Sequence, residues 1–223
     1  MDHYSTVQEP WWDDRPLVVI GGGPSLKGYD IQDLRQHGRV VALNDALVYC
    51  KVDVVYSIDA NWQRRSQQMV SEFEGEEVWL AASKWIKPYS APLLTPVKYI
   101  KRIRVGEFSR SPDEVHTQGN SGYSILNLAY LKRAKEVYLL GYDMNPGEHD
   151  QWHDREEELG LRKRAVNPRY YQAWPSDFRT IAPILEGAGM RVVNCNPDSA
   201  VKCFEFSSYE DFGLKQLVET STD

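Results

Sequence analysis

Apolar residues along this chain fall into short, nearly continuous runs, separated by stretches in which they recur every third or fourth position. An uninterrupted apolar run bounded by turn residues is how a strand buried on both faces reads. Its alternation with helical spacing is the pattern of a parallel sheet covered by helices. Leu17-Val18-Val19-Ile20, Arg39-Val40-Val41-Ala42-Leu43, Asp53-Val54-Val55-Tyr56-Ser57-Ile58 and Val78-Trp79-Leu80-Ala81-Ala82 predict the first strands. Between them the spacing predicts a helix from about Ile31 to Gln36 and a polar helix from near Asn61 to about Phe73. Further on, Glu136-Val137-Tyr138-Leu139-Leu140-Gly141 and Met190-Arg191-Val192-Val193-Asn194 predict two more strands. The helix opened by Asn120-Ser121-Gly122 carries Ile125, Leu128, Ala129 and Leu131 at helical spacing, with Ser121 as the expected N-cap. Two other helices are expected, from about Ser176 to Gly187 and within Tyr209 to Val218.

Two segments break the alternation. Lys84 to His116 places Pro88, Pro92, Pro96 and Pro112 around a strand expected at Val97 to Val105, and reads as an irregular excursion over the sheet edge. Met144 to Arg169 mixes Glu156-Glu157-Glu158 and Arg162-Lys163-Arg164 with few apolar positions, and reads as a lid or insertion over about 144–172. The expected fold is therefore α/β: a single Rossmann-like, open, mostly parallel sheet with helices on both faces and a lid insertion. It would occupy residues 16–218, between an N-terminal arm, 1–15, and a frayed tail, 219–223.

Composition narrows the function classes. Against 26 Lys and Arg stand 32 Asp and Glu in 223 residues, a net charge of -6, whereas binding a nucleic-acid backbone calls for a basic face. Lys101-Arg102-Ile103-Arg104 and Arg162-Lys163-Arg164 read as solvated patches or as contacts to an anionic ligand. No apolar run approaches the ~18 to 20 residues of a membrane span, and MDHYSTVQEPWWDD carries acids where a signal peptide carries bases. A cytoplasmic protein is the expectation. Cys50, Cys195 and Cys203 lack metal-ligand spacing and are expected to be small buried apolar side chains. Among the 7 tryptophans, Trp62 and Trp152 are candidates to stack on a sugar or base, whereas Trp79 and Trp174 read as core. Exposed tryptophans would also favour a homo-oligomer.

In an open parallel sheet, ligands bind beyond the carboxyl ends of the strands. The polar residues ending each expected strand are the Gly21-Gly22-Gly23-Pro24-Ser25 loop, Asn44-Asp45, Asp59, Asp143, and Asn194 with Asn196 and Ser199. The helix start Asn120-Ser121-Gly122 adds free amides and a positive dipole end that favour an anion. The glycine loop is neither GxGxxG nor a Walker loop, so its reading as a phosphate cradle depends on its pairing with Asn44 and with Gly119-Asn120-Ser121-Gly122.

VVIGGGPSL, VVALNDA, NSGYSILNLAYLKRAKEVYLLGYDM and VVNCNPDSAV resemble, in that order, the motifs of small bacterial sialyltransferases that use CMP-sialic acid. The resemblance implies Gly22, Gly23, Pro24, Ser25, Asn44, Ser121, Gly122 and Asp143 as a nucleotide-sugar site, and the strand ends and helix start add Asp45, Asp59 and Asn120 as nucleotide-contact candidates. It also implies sugar transfer to a hydroxyl acceptor by direct displacement, with no required metal. That family places a general-base histidine near Tyr-x-x-His before the last long helix, whereas this chain has Arg169-Tyr170-Tyr171-Gln172. His153, and after it His149, are the candidates to take over as base, since histidine titrates near neutral pH. Tyr170 and Tyr171 are candidates to steady the leaving phosphate.

The opening also resembles the MptE-like pterin diphosphokinases and related phage proteins. That resemblance implies pyrophosphoryl transfer from ATP with Mg²⁺ held by Asp45 and Asp59, although Ala60-Asn61-Trp62 stands where that family continues with Asp-Gly. A noncatalytic nucleotide-binding protein is the third reading. The acceptor stays open among lipid-linked sugar, protein, small metabolite and modified base.

Overall fold

The computed structural model describes residues 4–10, 14–83, 92–104, 107–145 and 168–217. Among the described residues nine strands form one sheet: β1 (Leu17–Ile20), β2 (Arg39–Leu43), β3 (Val54–Ser57), β4 (Glu77–Ala82), β5 (Val97–Ile103), β6 (Glu114–His116), β7 (Glu136–Leu140), β8 (Arg191–Asn194) and β9 (Glu205–Phe206). Their order is β6-β5-β4-β3-β2-β1-β7-β8-β9, and every pairing is parallel.

Period-two alternation divides the buried side chains between the faces. Leu17, Val19, Val41, Tyr56, Trp79, Val137 and Leu139 face one way. There they meet α3 (Ser121–Leu131) through Ile125, Leu128 and Ala129, and α4 (Pro168–Gly187) through Phe178, Ile181 and Leu185. Val18, Ile20, Val40, Ala42, Val55, Leu80 and Leu140 face the other way. These pack on α1 (Ala60–Arg65) through Trp62, α2 (Gln67–Ser71) through Val70, and α5 (Tyr209–Phe212) through Tyr209.

Several elements differ from the sequence expectation. The helix expected over 31–36 is only a 3-10 turn, Leu34–Gln36. The helix expected over 61–73 is interrupted at Ser66, whose backbone (φ -91, ψ 10) ends α1 and begins α2. β5 stops at Ile103, not Val105. α4 begins at Pro168 rather than near Ser176 and runs through Pro175 and Pro183. Proline lacks the N–H that would close the preceding turn, which is why its presence reads as a break in sequence. α5 is short because Gly213, at φ 105, caps it in the left-handed region. Cys50 and Cys195 are buried and Cys203 half-buried, all as free thiols. Among the described residues no helix is long and apolar enough to cross a membrane.

Candidate functional site

The order of strands reverses at β1. From β1 the chain builds outward through β2 to β6, then returns by α3 to β7 on the other side of β1. Such a reversal opens a crevice at the carboxyl ends of the two central strands, because their following loops leave in opposite directions. Here those loops are residues 21–25 and 141–145.

The loops are joined closely. The Gly21 amide donates to the Leu140 carbonyl and the Gly23 amide to the Gly141 carbonyl, each at 2.8 Å. A Cβ on Gly21 would lie 2.6 Å from the Gly141 oxygen, and one on Gly23 1.9 Å from Asp143 Oδ2. Glycine is therefore required by two chain segments in contact, whether or not a ligand is present. Ser25 donates its amide to Asp143 Oδ1 at 3.0 Å and its hydroxyl to Oδ2 at 2.7 Å. The Tyr209 hydroxyl stands 2.6 Å from Ser25 Oγ and accepts the Gly141 amide at 3.0 Å. One proton arrangement satisfies every group: Gly141 donates to Tyr209, Tyr209 to Ser25, and Ser25 to Asp143. Burial pushes the Asp143 carboxyl above its ordinary range, while the Ser25 hydroxyl and amide pull it back. Burial likewise raises the Tyr209 hydroxyl, which stays protonated. The Ser25 donor is thus committed inside the protein. Gly22, half-buried, keeps an amide with no acceptor among the described residues.

Asn44, at the end of β2, has φ 54, the left-handed region that few non-glycine residues occupy. Its Oδ1 accepts the Ser57 hydroxyl at 2.7 Å, which leaves the Nδ2 hydrogens without an acceptor among the described residues.

α3 is capped by Asn120, not by Ser121 as the sequence suggested. Asn120 has the extended backbone of a cap (φ -128, ψ 124), and its Oδ1 accepts the Tyr123 amide at 3.0 Å. The amides of Ser121 and Gly122 and the Ser121 hydroxyl are left without partners among the described residues, at the positive end of the helix. Gly122 lies against Tyr142, where a Cβ would meet the ring at 2.8 Å, and Asn120 Nδ2 reaches Met144 Sδ at 3.4 Å. The two glycine turns therefore grip one segment from its two sides. Gly141 and Asp143 face the glycine loop, and Tyr142 and Met144 face the start of α3.

Two of the expected acids have other work. Asp45, 4% exposed, accepts from Arg65 at 2.9 and 2.5 Å and from the Trp62 indole at 2.9 Å. Asp59 caps α1, accepting the amides of Asn61 and Trp62 through Oδ1 at 2.7 and 3.2 Å. Trp62, a candidate stacking platform, is 1% exposed and belongs to the core. Among the described residues no three His, Cys, Asp or Glu stand close enough together to hold a metal ion. At the end of β8, Asn194 accepts the Asn196 amide at 3.2 Å, Asn196 accepts that of Asp198 at 3.0 Å, and Ser199 donates to the Tyr142 carbonyl at 2.5 Å. These residues brace the segment after β7.

α4 runs against the strands. Phe178 packs on Tyr142 and Tyr123 at the carboxyl edge (centroids 6.2 and 5.9 Å), and the helix ends just before β8 begins. Its first two turns therefore project past that edge, with Tyr170 about 12 Å along the axis from Phe178. Tyr170 stacks on Trp174 (5.6 Å, interplanar 10°) and Tyr171 meets the same ring edge-on, yet Tyr170 is 51% exposed. Trp174 is half-buried against the core. His149 and His153 lie outside the described residues, as do Trp152 and most of the expected lid. Sequence reading missed Tyr209, because nothing local marks a tyrosine 184 positions from its partner. It also missed His116, 1% exposed, whose Nδ1 lies 3.2 Å from the Tyr123 hydroxyl in the first turn of α3. Burial pushes the Asp177 carboxyl up, against the opposing pull of His116.

No protein-family model matches the chain, and no curated protein matches it in sequence. In structure it is similar to the monofunctional α-2,3-sialyltransferase Cst-I from Campylobacter jejuni, with a TM-score of 0.55, 13% identity, and coverage of 96% of this chain and 89% of that one. The likeness covers nearly all of this chain, so its α/β fold is sialyltransferase-like.

Proposed function

We propose that the protein is a glycosyltransferase that takes a sugar from a nucleotide-sugar, CMP-sialic acid being the first candidate, and moves it to a hydroxyl acceptor. The observation that carries this reading is the set of donors without partners among the described residues at the carboxyl ends of β1, β2 and the start of α3: the Gly22, Ser121 and Gly122 amides, the Ser121 hydroxyl and Asn44 Nδ2. They flank the strand-order reversal, where a phosphorylated ligand fits the open-sheet rule. The sialyltransferase-like fold supports a nucleotide-sugar as that ligand.

In this reading the helix amides and Gly22 hold the donor phosphate, and Asn44 orients the nucleotide. Attack by the acceptor oxygen on the anomeric carbon forms one C–O bond as the bond to the phosphate breaks. The electron pair leaves with the nucleotide phosphate, and the acceptor proton passes to a base. His153, and after it His149, take that role. Tyr170 and Tyr171, on the projecting end of α4, donate to the departing phosphate, where new negative charge makes preorganised donors most effective. Asp45 and Asp59, already engaged by Arg65 and by the α1 amides, weigh against a diphosphokinase built on them.

Incubating the protein with CMP-sialic acid and a panel of hydroxyl acceptors, with and without EDTA, tests the proposal. Turnover that is indifferent to EDTA and lost in His153→Ala is expected. Turnover confined to ATP and Mg²⁺ would replace this reading with the diphosphokinase one.

A further inference from the structure

α4 and the loop after β8 border a half-open recess of about 320 Å³ lined by Pro175, Arg179, Ala200, Lys202 and Cys203. Its volume is at the small end of ligand pockets, about 300 to 1,000 Å³, and suits a monosaccharide-sized group. It adjoins the candidate donor crevice. The Ala200 amide donates to the Asp143 carbonyl at 2.8 Å, and Phe178, next to Arg179, packs on Tyr142.

The cavity's charge is one-sided. Arg179 has no carboxylate partner among the described residues. Lys202 donates to the Pro197 carbonyl at 2.8 Å and lies 5.0 Å from the Phe206 ring centre, and neither contact neutralises it. Burial pushes the Cys203 thiol up to about 11, so it is a neutral wall. A second cavity, of about 260 Å³, holds Arg191, but Glu136 and Glu205 both pair with that guanidinium. Two cations without counter-charges among the described residues in one recess, on a chain of net charge -6, suit an anion supplied from outside.

We propose that the acceptor carries an oxyanion, phosphate or carboxylate, and that Arg179 and Lys202 hold it in this cavity while its hydroxyl faces the donor crevice. The assignment of the bound group as an acceptor rests on the glycosyl-transfer reading; the anion site itself does not. Arg179 clasps the oxyanion with its planar fork and Lys202 supplies a point charge.

Calorimetric titration of galactose 6-phosphate, galacturonic acid and galactose, with and without saturating CMP, tests this directly. Either anionic sugar is expected to bind at least tenfold more tightly than galactose. Arg179→Ala and Lys202→Ala should each weaken it about tenfold, Arg179→Glu should abolish the preference, and CMP affinity should not change. Both side chains are exposed, so the melting temperature should be that of the wild type, which confirms folding. Tighter binding of the phosphate ester identifies a phosphate acceptor, and tighter binding of the uronic acid a carboxylate one. Equal binding of all three sugars, binding of none, or an anion preference that survives Arg179→Glu overturns the proposal. Failure of CMP to bind while the anionic sugars still do would remove the donor reading and leave this site standing.

Discussion

Ser25 and Asp143, 118 positions apart in sequence, bind each other twice, amide to Oδ1 at 3.0 Å and hydroxyl to Oδ2 at 2.7 Å. That double contact fixes the loop after β1 to the loop after β7, and with it the geometry of the crevice between them. Ser25→Ala removes the hydroxyl that serves both the carboxylate and Tyr209. Hydrogen bonds to charged groups contribute about 1.5 to 3 kcal/mol, so a loss of about 2 kcal/mol in urea unfolding is expected. A loss below about 0.5 kcal/mol would mean that the loops are held by something else.

Asp143 also gives a pH signature. Its carboxyl is pushed above the ordinary 3.8, mainly by burial, so over the interval above 3.8 the folded chain keeps a proton that the unfolded chain has released. The resulting stability is fully present below the unfolded value and is lost as pH rises through the folded value. The unfolding free energy of the wild type, relative to Asp143→Asn, should therefore increase as pH falls from neutral toward the ordinary carboxylate value. An opposite slope would show that the Ser25 bonds outweigh burial.

Gly23→Ala should be severely destabilising, because its Cβ would overlap Asp143 Oδ2 at 1.9 Å and crowd the Gly141 oxygen at 2.6 Å. We expect a loss of at least about 3 kcal/mol or failure to fold. Gly187→Ala, at the end of α4 with nothing within 4 Å of the new methyl, is the control and should be neutral or slightly stabilising. Comparable melting temperatures for the two variants would contradict the packing described here.

Asn44 separates binding from folding. Asn44→Gly relieves a left-handed backbone (φ 54) while removing the free Nδ2 donors. Melting temperature within a few degrees of wild type, with CMP affinity lower by at least about tenfold, is expected from the loss of one good hydrogen-bonding group. Unchanged CMP affinity would take Asn44 out of the site.

Asp59→Ala should cost about 1 kcal/mol by uncapping α1 and leave nucleotide affinity unchanged with or without Mg²⁺. A Mg²⁺-dependent affinity that vanishes in this variant would revive the metal reading.

The sheet was legible because its strands are apolar on both faces, and a run such as Leu17-Val18-Val19-Ile20 allows few other structures. β6 and β9 were not, since three and two residues at the sheet's edges carry no pattern. The start of α4 was hidden by Pro175. Polarity at strand ends picked out Asn44, Asp143 and the two glycine turns as candidates, because positions at strand ends follow from topology. What each residue does was less visible: Asp45 and Trp62 read as ligand contacts until Arg65 was seen to pair with that carboxylate. Ser121 read as a cap, yet the cap is its neighbour. These roles depend on contacts between distant residues, which local sequence does not encode.

The central claim, that donors at two glycine turns hold one phosphorylated molecule across the β1–β7 reversal, is tested most directly by a crystal structure of the CMP complex. The account predicts the phosphate within hydrogen-bond distance of the Gly22 amide and the Ser121 and Gly122 amides, with the nucleotide against Asn44. A well-ordered CMP elsewhere on the protein, with those amides still bare, would contradict it.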